Sequence, residues 1–210
     1  KPQVIINLAA MSAVSYSFDH SQEVNEVNYM GVVRLAEAAV AAGAHFVQAS
    51  TSEVYGRAAY EFPLTEESPL GATSPYAAGK VAAEEYLRTM MSLDRLSVTI
   101  MRPFNTIGRS SVGPHGNRHF VVERAITQGI LEGQIELHDP RPFRDFVFRT
   151  DHVAGYLHVI EHLDQAKGQT INLCTGDAWS IARMANEVAR AVGLLTGREP
   201  TVSFLAVPDR

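Results

Sequence analysis

One cysteine, Cys174, stands among 210 residues. It cannot close a disulfide within the chain, so a reducing compartment is expected, and with it a cytoplasmic location. No apolar run approaches the roughly 18–20 residues that a membrane-spanning helix needs, so no membrane partner is expected. Basic charge is not in excess either. The 18 Lys and Arg against 23 Asp and Glu leave a formal net charge of −5, without the basic footprint of a nucleic-acid or anionic-surface binder. No Gly-x-Ser-x-Gly elbow occurs, which removes the support for a serine hydrolase. Internal repeats and low-complexity segments are absent, and no signal peptide is expected.

What is present is an apolar fraction of 46%, enough for a sizeable core in one large domain or a domain with a lobe. The run from Val4 to Ala10 reads as a buried strand that starts almost at once, which suggests that sequence upstream is missing. Residues 10–21 read as a loop at its carboxyl end. The helical spacing of Val24, Val27, Val32, Leu35 and Ala39 predicts a helix over 22–42, stopped by Gly43. A second strand over 45–50 runs into a loop at 50–56, and a long loop with Pro63 and Pro69 covers 57–74. Pro75 opens a helix over 75–91, followed by a strand at 97–101. This alternation predicts a parallel α/β sheet with right-handed crossovers. Its ligand crevice lies outside the carboxyl ends of the strands, where the loops 10–18, 50–56 and 102–109 converge. Further on, the pattern predicts a loop at 106–118, a helix at 119–132, short strands at 134–138 and 146–149, and a helix at 151–163. A strand at 169–173, a helix at 180–193 and a last strand at 201–207 complete it.

The stretch Ser74-Pro75-Tyr76-Ala77-Ala78-Gly79-Lys80 puts a phenol and an ammonium four residues apart on one helix face. An ammonium beside a phenol favours the phenolate and lowers its pKa from about 10. A phenol tuned in that way serves as a general base. Taken alone, a bare Tyr-x-x-x-Lys is better read as a packed ring and a solvated surface charge.

Six segments in order change that balance. They are Asn7-Leu8-Ala9-Ala10, Asn28-x-x-Gly31, Ser50-Thr51-Ser52-Glu53-Val54-Tyr55-Gly56, Ser74-Pro75-Tyr76-x-x-x-Lys80, Arg102-Pro103-Phe104-Asn105 and Arg144-Asp145-Phe146. Together, over residues 3–193, they resemble the extended short-chain dehydrogenase/reductase family of NAD-dependent nucleotide-sugar epimerases and dehydratases. The resemblance implies a Rossmann-like parallel sheet with its N-terminal βαβ part missing. It also implies a partial NAD(P)-binding domain over 1–105 and a smaller C-terminal substrate-binding lobe over 106–210, with strand 169–173 returning to the main sheet. The family's Gly-x-x-Gly-x-x-Gly turn, which cradles the dinucleotide pyrophosphate, has no counterpart here; Gly113 and Gly116 lie far downstream in another context.

Carried over by resemblance, Tyr76 takes a proton from a sugar hydroxyl while the carbon beneath gives a hydride to the nicotinamide. Lys80 lowers the phenol's pKa and holds the nicotinamide ribose, and the Thr51 hydroxyl bonds the same sugar oxygen. Glu53 looks like the carboxylate that removes the C5 proton in sugar 4,6-dehydratases, after oxidation at C4. Decarboxylases and some epimerases or reductases also show Ser/Thr-x-Glu. Some dehydratases carry Asp where Ser52 stands, so a separate acid for the leaving hydroxyl is not evident. Ala9, Ala10 and Ser50, with Met11 and Ser12, would line the cofactor cleft. Ser52, Asn105 and Arg144 would meet the nucleotide-diphosphate sugar, Arg144 by pairing with the diphosphate, with Arg109, Arg118 and Arg141 as further contributors. The expected cofactor is NAD, with NADP open. Family members often form homodimers through the helices matching 22–42 and 75–91. His158-Val159-Ile160-Glu161-His162 matches the H-x-x-E-H pattern of inverted zinc proteases. That family needs a third ligand far downstream and little chain remains, so a solvated helix face is the reading and no metal is expected.

Overall fold

The computed structural model describes residues 1–60, 63–108 and 120–205, with 57–60 described by backbone alone. Arg109, Arg118, Gly113 and Gly116 lie outside the described residues, as does most of the predicted loop at 106–118.

In chain order the elements are β1 (Val4–Asn7), α1 (Val14–Asp19), α2 (Ser21–Asn25), a π-helical turn (Glu26–Met30), α3 (Gly31–Ala42), β2 (His45–Ala49), 3-10 turns (Ser52–Tyr60), α4 (Pro75–Ser92), β3 (Val98–Pro103) and β4 (Asn105–Ile107). There follow α5 (Val121–Leu131), β5 (Gln134–Leu137), β6 (Phe143–Phe148), α6 (Arg149–Glu161), α7 (Leu163–Ala166), β7 (Thr170–Leu173), β8 (Ala178–Ser180), α8 (Ile181–Thr196) and β9 (Thr201–Phe204). They form two compact units: Lys1–Phe104 with Thr150–Cys174, and Asn105–Arg149 with Thr175–Arg210.

The first unit is built on a four-stranded sheet in the order β1-β2-β3-β7, every pair parallel. Successive strand residues face opposite sides. Phe46 and Ile100 therefore join Val32, Ala36, Ala83 and Leu87 under α3 and α4. Val47 and Met101, one position on, join Val159 and Ala166 under α6 and α7. Helices on both faces are what an all-parallel sheet requires, because neither face can be left to water. The Rossmann-like α/β class is therefore observed. The returning segment is longer than the one strand the sequence suggests, since it includes α6 and α7 as well as β7.

The predicted helix over 22–42 is α2, the π turn and α3 run together. Gly43 stops it with φ +66°, a left-handed position that glycine takes without steric penalty. Residues 10–21, expected as loop, contain α1. No apolar periodicity announces it, because of its six residues only Ser17 is buried. α4 starts as expected: Pro75 takes the first turn, and the Ser74 hydroxyl accepts the Ala77 N–H at 3.1 Å.

In the second unit β6 pairs with β4 in parallel and with β8 antiparallel, and β5 pairs with β9 in parallel. Its core joins Ala125, Ile135 and Leu137 to Ile181, Met184, Ala185 and Ala189. β4 and β8 are each three residues long, too short for a period to register in sequence. No helix among the described residues is long and apolar enough to cross a membrane.

Gly56 holds the turn after β2 in shape. Its φ is +51°, and a Cβ there would lie 1.6 Å from the Gly71 carbonyl oxygen, a backbone atom that cannot swing away. The Gly71 N–H bonds the Val54 carbonyl at 2.9 Å, closing the same turn. Gly56→Ala is expected to lower the unfolding free energy by about 2–3 kcal/mol. Urea unfolding followed by circular dichroism checks this; a loss under about 0.5 kcal/mol would contradict the close approach.

Candidate active site

Four sequence-predicted residues meet at the carboxyl end of β2 and the start of α4. β2 delivers Ser50 and Thr51 as it leaves the sheet, and the first two turns of α4 deliver Tyr76 and Lys80. All four are buried; Thr51, Tyr76 and Lys80 are 8%, 7% and 2% exposed. Ser52 and Glu53 follow on the 3-10 turn and are half-buried. Thr51 Oγ1 accepts the Glu53 N–H at 3.2 Å, which leaves its own proton for the phenol oxygen of Tyr76.

The electrostatics differ from the sequence expectation in one respect. Burial pushes the Tyr76 phenol above its ordinary value, the Thr51 hydroxyl pulls it back, and the Glu53 carboxylate pushes it further up. The phenol is thus raised, where the Tyr-x-x-x-Lys spacing predicts a lowered one. The physical reason is that burial outweighs the Thr51 hydrogen bond, while the Lys80 ammonium is engaged elsewhere. It donates to the Ala49 carbonyl at 2.9 Å, beneath the sheet end. Burial drives Lys80 down from 10.5 to about 8, against the pull of Glu84.

This depression has a consequence for stability. Below pH about 8 the folded and unfolded chains both hold the proton, and the full burial penalty of roughly 3 kcal/mol is present. Between about 8 and 10.5 the unfolded chain keeps a proton that the folded chain has released, so stability rises with pH. Unfolding free energies at pH 7 and 9.5 are expected to show this rise in the wild type relative to Lys80→Met. Parallel curves for the two proteins would refute it.

Behind the four lies a buried polar network that sequence reasoning did not find. Arg102, 1% exposed, grips Glu84, 0% exposed, with Nε at 3.1 Å and Nη2 at 2.6 Å. Its Nη1 donates to the Tyr55 hydroxyl at 2.8 Å and the Glu66 carbonyl at 3.1 Å. Tyr55 in turn donates to Asn172 Oδ1 at 2.6 Å. The Ser50 hydroxyl donates to Glu84 Oε1, and Arg88 Nη2 donates to Glu84 Oε2 at 3.0 Å. Burial pushes the Glu84 carboxyl up, but the bonds from Arg102, Ser50 and Arg88 outweigh it and hold the group below the usual carboxylate range. Ser50, expected at the cofactor, thus has its hydroxyl committed to the interior, and its N–H to the Met101 carbonyl at 2.7 Å. Continuing the four-residue ladder Tyr76, Lys80, Glu84 was the available signal.

Ala9 and Ala10 are exposed at the end of β1. Asn28, fully buried in the π turn, clamps the loop just after them: its Oδ1 accepts Met11 N–H at 2.9 Å and its Nδ2 donates to Met11 O at 3.0 Å. An Asn inside a helix disfavours that helix, and here the π turn aims its side chain at a loop. Asn105 and Arg144 belong to the second unit. Asn105 Oδ1 is buried and has no hydrogen-bond partner among the described residues. Arg144 lies on β6 opposite Trp179 and donates to the Phe143 carbonyl at 2.8 Å. Its neighbour Asp145 is structural: its carboxylate accepts from Thr175 N–H, Thr175 hydroxyl and Gly176 N–H at 2.7–3.0 Å. A hollow of about 630 Å³ opens at the opposite end of the first unit's sheet, by His45, Ser97 and Lys167, away from this chemistry.

A phenol, a hydroxyl that bonds it, a buried ammonium and a nearby carboxylate thus gather at the carboxyl end of the parallel sheet. The model of the NAD dependent epimerase/dehydratase family matches residues 1–174. The chain belongs to that family. Among its relatives, a UDP-glucose 4-epimerase of Mycolicibacterium smegmatis is 36% identical over 92% of this chain and 61% of its own length. A dTDP-D-glucose 4,6-dehydratase of Mus musculus is 28% identical over 100% of the chain and 58% of its own length. The solved structure of RMD from Pseudomonas aeruginosa complexed with NADPH superposes with a TM-score of 0.81 at 27% identity, covering 98% of this chain and 70% of that one. The chain spans about 60% of the length of these curated relatives.

The family cofactor is NAD, and the residues of this epimerase/dehydratase chain fit it. The buried Lys80 ammonium has three N–H donors, and among the described residues the structure gives it one hydrogen-bond acceptor, Ala49 O. The remaining donors suit a vicinal diol such as a ribose.

Proposed function

We propose that the chain carries the catalytic groups of a nucleotide-sugar 4,6-dehydratase. The observation that supports this most is the Glu53 carboxylate, close enough to Tyr76 to raise its phenol. Two proton-accepting groups thus flank one reacting position. Bound NAD would supply the acceptor for the C4 hydrogen of the sugar and return that hydrogen to C6. Tyr76 takes the C4 hydroxyl proton, with the Thr51 hydroxyl bonding the same oxygen. Lys80 holds the cofactor ribose, beside the exposed strand end at Ala9 and Ala10. Glu53 then removes the C5 proton, which the C4 ketone has acidified, and passes it to the C6 hydroxyl, which leaves as water. As the hydride returns to C6, a proton returns to C5 in place of the one Tyr76 took from the C4 hydroxyl. In this reading Asn105 and the Arg144 guanidinium contact the nucleotide-diphosphate sugar, with Ser52 beside Glu53.

In this reading residues 1–105 hold the cofactor and 106–210 mostly the substrate, in the cytoplasm. A homodimer through α2–α3 and α4 belongs to the same reading, and Val27, Met30 and Leu35 leave apolar surface on that helix.

A 4-epimerase is the second reading. It is favoured by the 36% identity to the mycobacterial UDP-glucose 4-epimerase. Incubation of the protein with NAD and UDP-, GDP- or dTDP-hexoses, read by mass spectrometry and NMR, separates them. Loss of one water with a 4-keto-6-deoxy product supports the dehydratase; an isomer of unchanged mass replaces it with the epimerase.

A further inference from the structure

The last turn of α6 carries a cluster that the proposed function does not use. His158, Glu161 and His162 are all exposed, and their ligand atoms lie within 4.8 Å of one another. The spacing i, i+3, i+4 puts them on one helix face. The sequence alone offers two histidines in search of a distant third ligand. In the structure the third donor is Glu161, from inside the same pattern.

Three further features favour a cation there. His162 Nδ1 lies 3.0 Å from the His158 carbonyl. A carbonyl only accepts, so Nδ1 carries the proton and Nε2 is left with a bare lone pair, the form that ligates a metal. The two imidazoles are already paired, with centroids 4.1 Å apart. The cluster also sits at the carboxyl end of a thirteen-residue helix. There the unsatisfied carbonyls and the macrodipole attract positive charge, and a carboxylate such as Glu161 is disfavoured until a cation joins it.

We propose that His158, Glu161 and His162 form a binding site for a divalent transition-metal ion of the Zn²⁺ class. Two imidazoles and one carboxylate match the ligand preference of Zn²⁺, with bonds of about 2.0–2.2 Å, and do not match Mg²⁺, which prefers oxygen and water. Ligand atoms within 4.8 Å need small side-chain rotations to converge at those distances, and exposed side chains make them freely. Solvent fills the remaining positions. The ion would tie His158 to His162, and so fasten the end of α6 to the start of α7, where His162 is the flanking residue.

The test is titration of the chain with ZnCl₂ and with MgCl₂, by calorimetry and by competition with a chromogenic chelator. Saturable 1:1 Zn²⁺ binding, with a Zn²⁺-dependent rise in melting temperature and no Mg²⁺ binding, is expected. His162→Gln and His158→Gln should each weaken Zn²⁺ binding roughly tenfold or more, since loss of even an outer partner of a ligand commonly costs 10–100-fold. Both positions are exposed, so folding is preserved, which circular dichroism verifies. Absence of saturable Zn²⁺ binding, or 1:1 binding that survives the double His→Gln change through other histidines, would overturn the proposal. Neither result depends on the sugar chemistry.

Discussion

Glu84→Ala is expected to lower the unfolding free energy by about 3–5 kcal/mol, enough to leave much of a marginally stable domain unfolded. The reason is the state of Arg102 after the change. Arg102 stands on β3, the strand between β2 and β7, its guanidinium is buried, and Glu84 accepts two of its hydrogen bonds. Removing the carboxylate leaves a charge that has neither water nor counter-ion. The Tyr55 hydroxyl, the Glu66 carbonyl and the Tyr55 ring at 4.9 Å remain, but none of them carries the opposite charge. Ser50 also loses its acceptor. Removing both partners is a different matter. Glu84→Leu with Arg102→Met fills the space with apolar atoms and strands no charge, and Tyr55 keeps Asn172. The double variant should recover most of the lost stability. Urea unfolding of the single and double variants measures both effects. If Glu84→Ala alone cost under 1 kcal/mol, the ion pair would not be holding the fold in the way its geometry implies.

The same pair ties together the two segments that carry the candidate site. Arg102 on β3 reaches Tyr55 in the turn after β2 and Glu84 on α4. Thr51 and Glu53 travel with that turn, and Tyr76 and Lys80 with that helix. One guanidinium therefore fixes the two segments whose side chains must meet. Its own strand partner Asn172 on β7 is bound through its N–H to Glu66 Oε1 at 2.7 Å, which draws the long loop before α4 onto the sheet.

The sequence made these parts legible to different degrees. Strand runs such as 45–49 and 98–103 were visible because each is a short, largely apolar run bounded by a helix stop or turn before it and a loop after it. α4 was visible through Ser74, Pro75 and its spacing. The segment α1 was not, since a helix of six residues with one buried position has no period to read. Thr51, Tyr76 and Lys80 could be named from their spacing and resemblance. The direction of the phenol's shift could not, because it depends on where the Lys80 ammonium points and on how deeply Tyr76 is buried. Both are set by packing among β2, β3 and α4, far apart in the chain. Glu84 and Arg102 are 18 residues apart, and only the packing of α4 on β3 brings them together.

Tyr76→Phe is expected to lower turnover of the active protein by about 10²–10⁴ while leaving the fold intact, if the nucleotide-sugar reading is right. The ring keeps its packing, and only the oxygen bonded by Thr51 is lost. The pH dependence gives a sharper result than the loss of rate. Tyr76 works as a base only when ionised, so kcat/KM for sugar oxidation should climb with pH along a limb set by the phenol. Thr51→Val removes the hydroxyl that pulls the phenol down, and the limb should move to higher pH. Glu53→Gln removes the carboxylate that pushes it up, and the limb should move to lower pH, even as the later loss of water fails. The two shifts have opposite signs, and a merely structural role for either residue would produce neither. If both variants leave the limb in place, or move it the same way, Tyr76 is not the titrating base of this site.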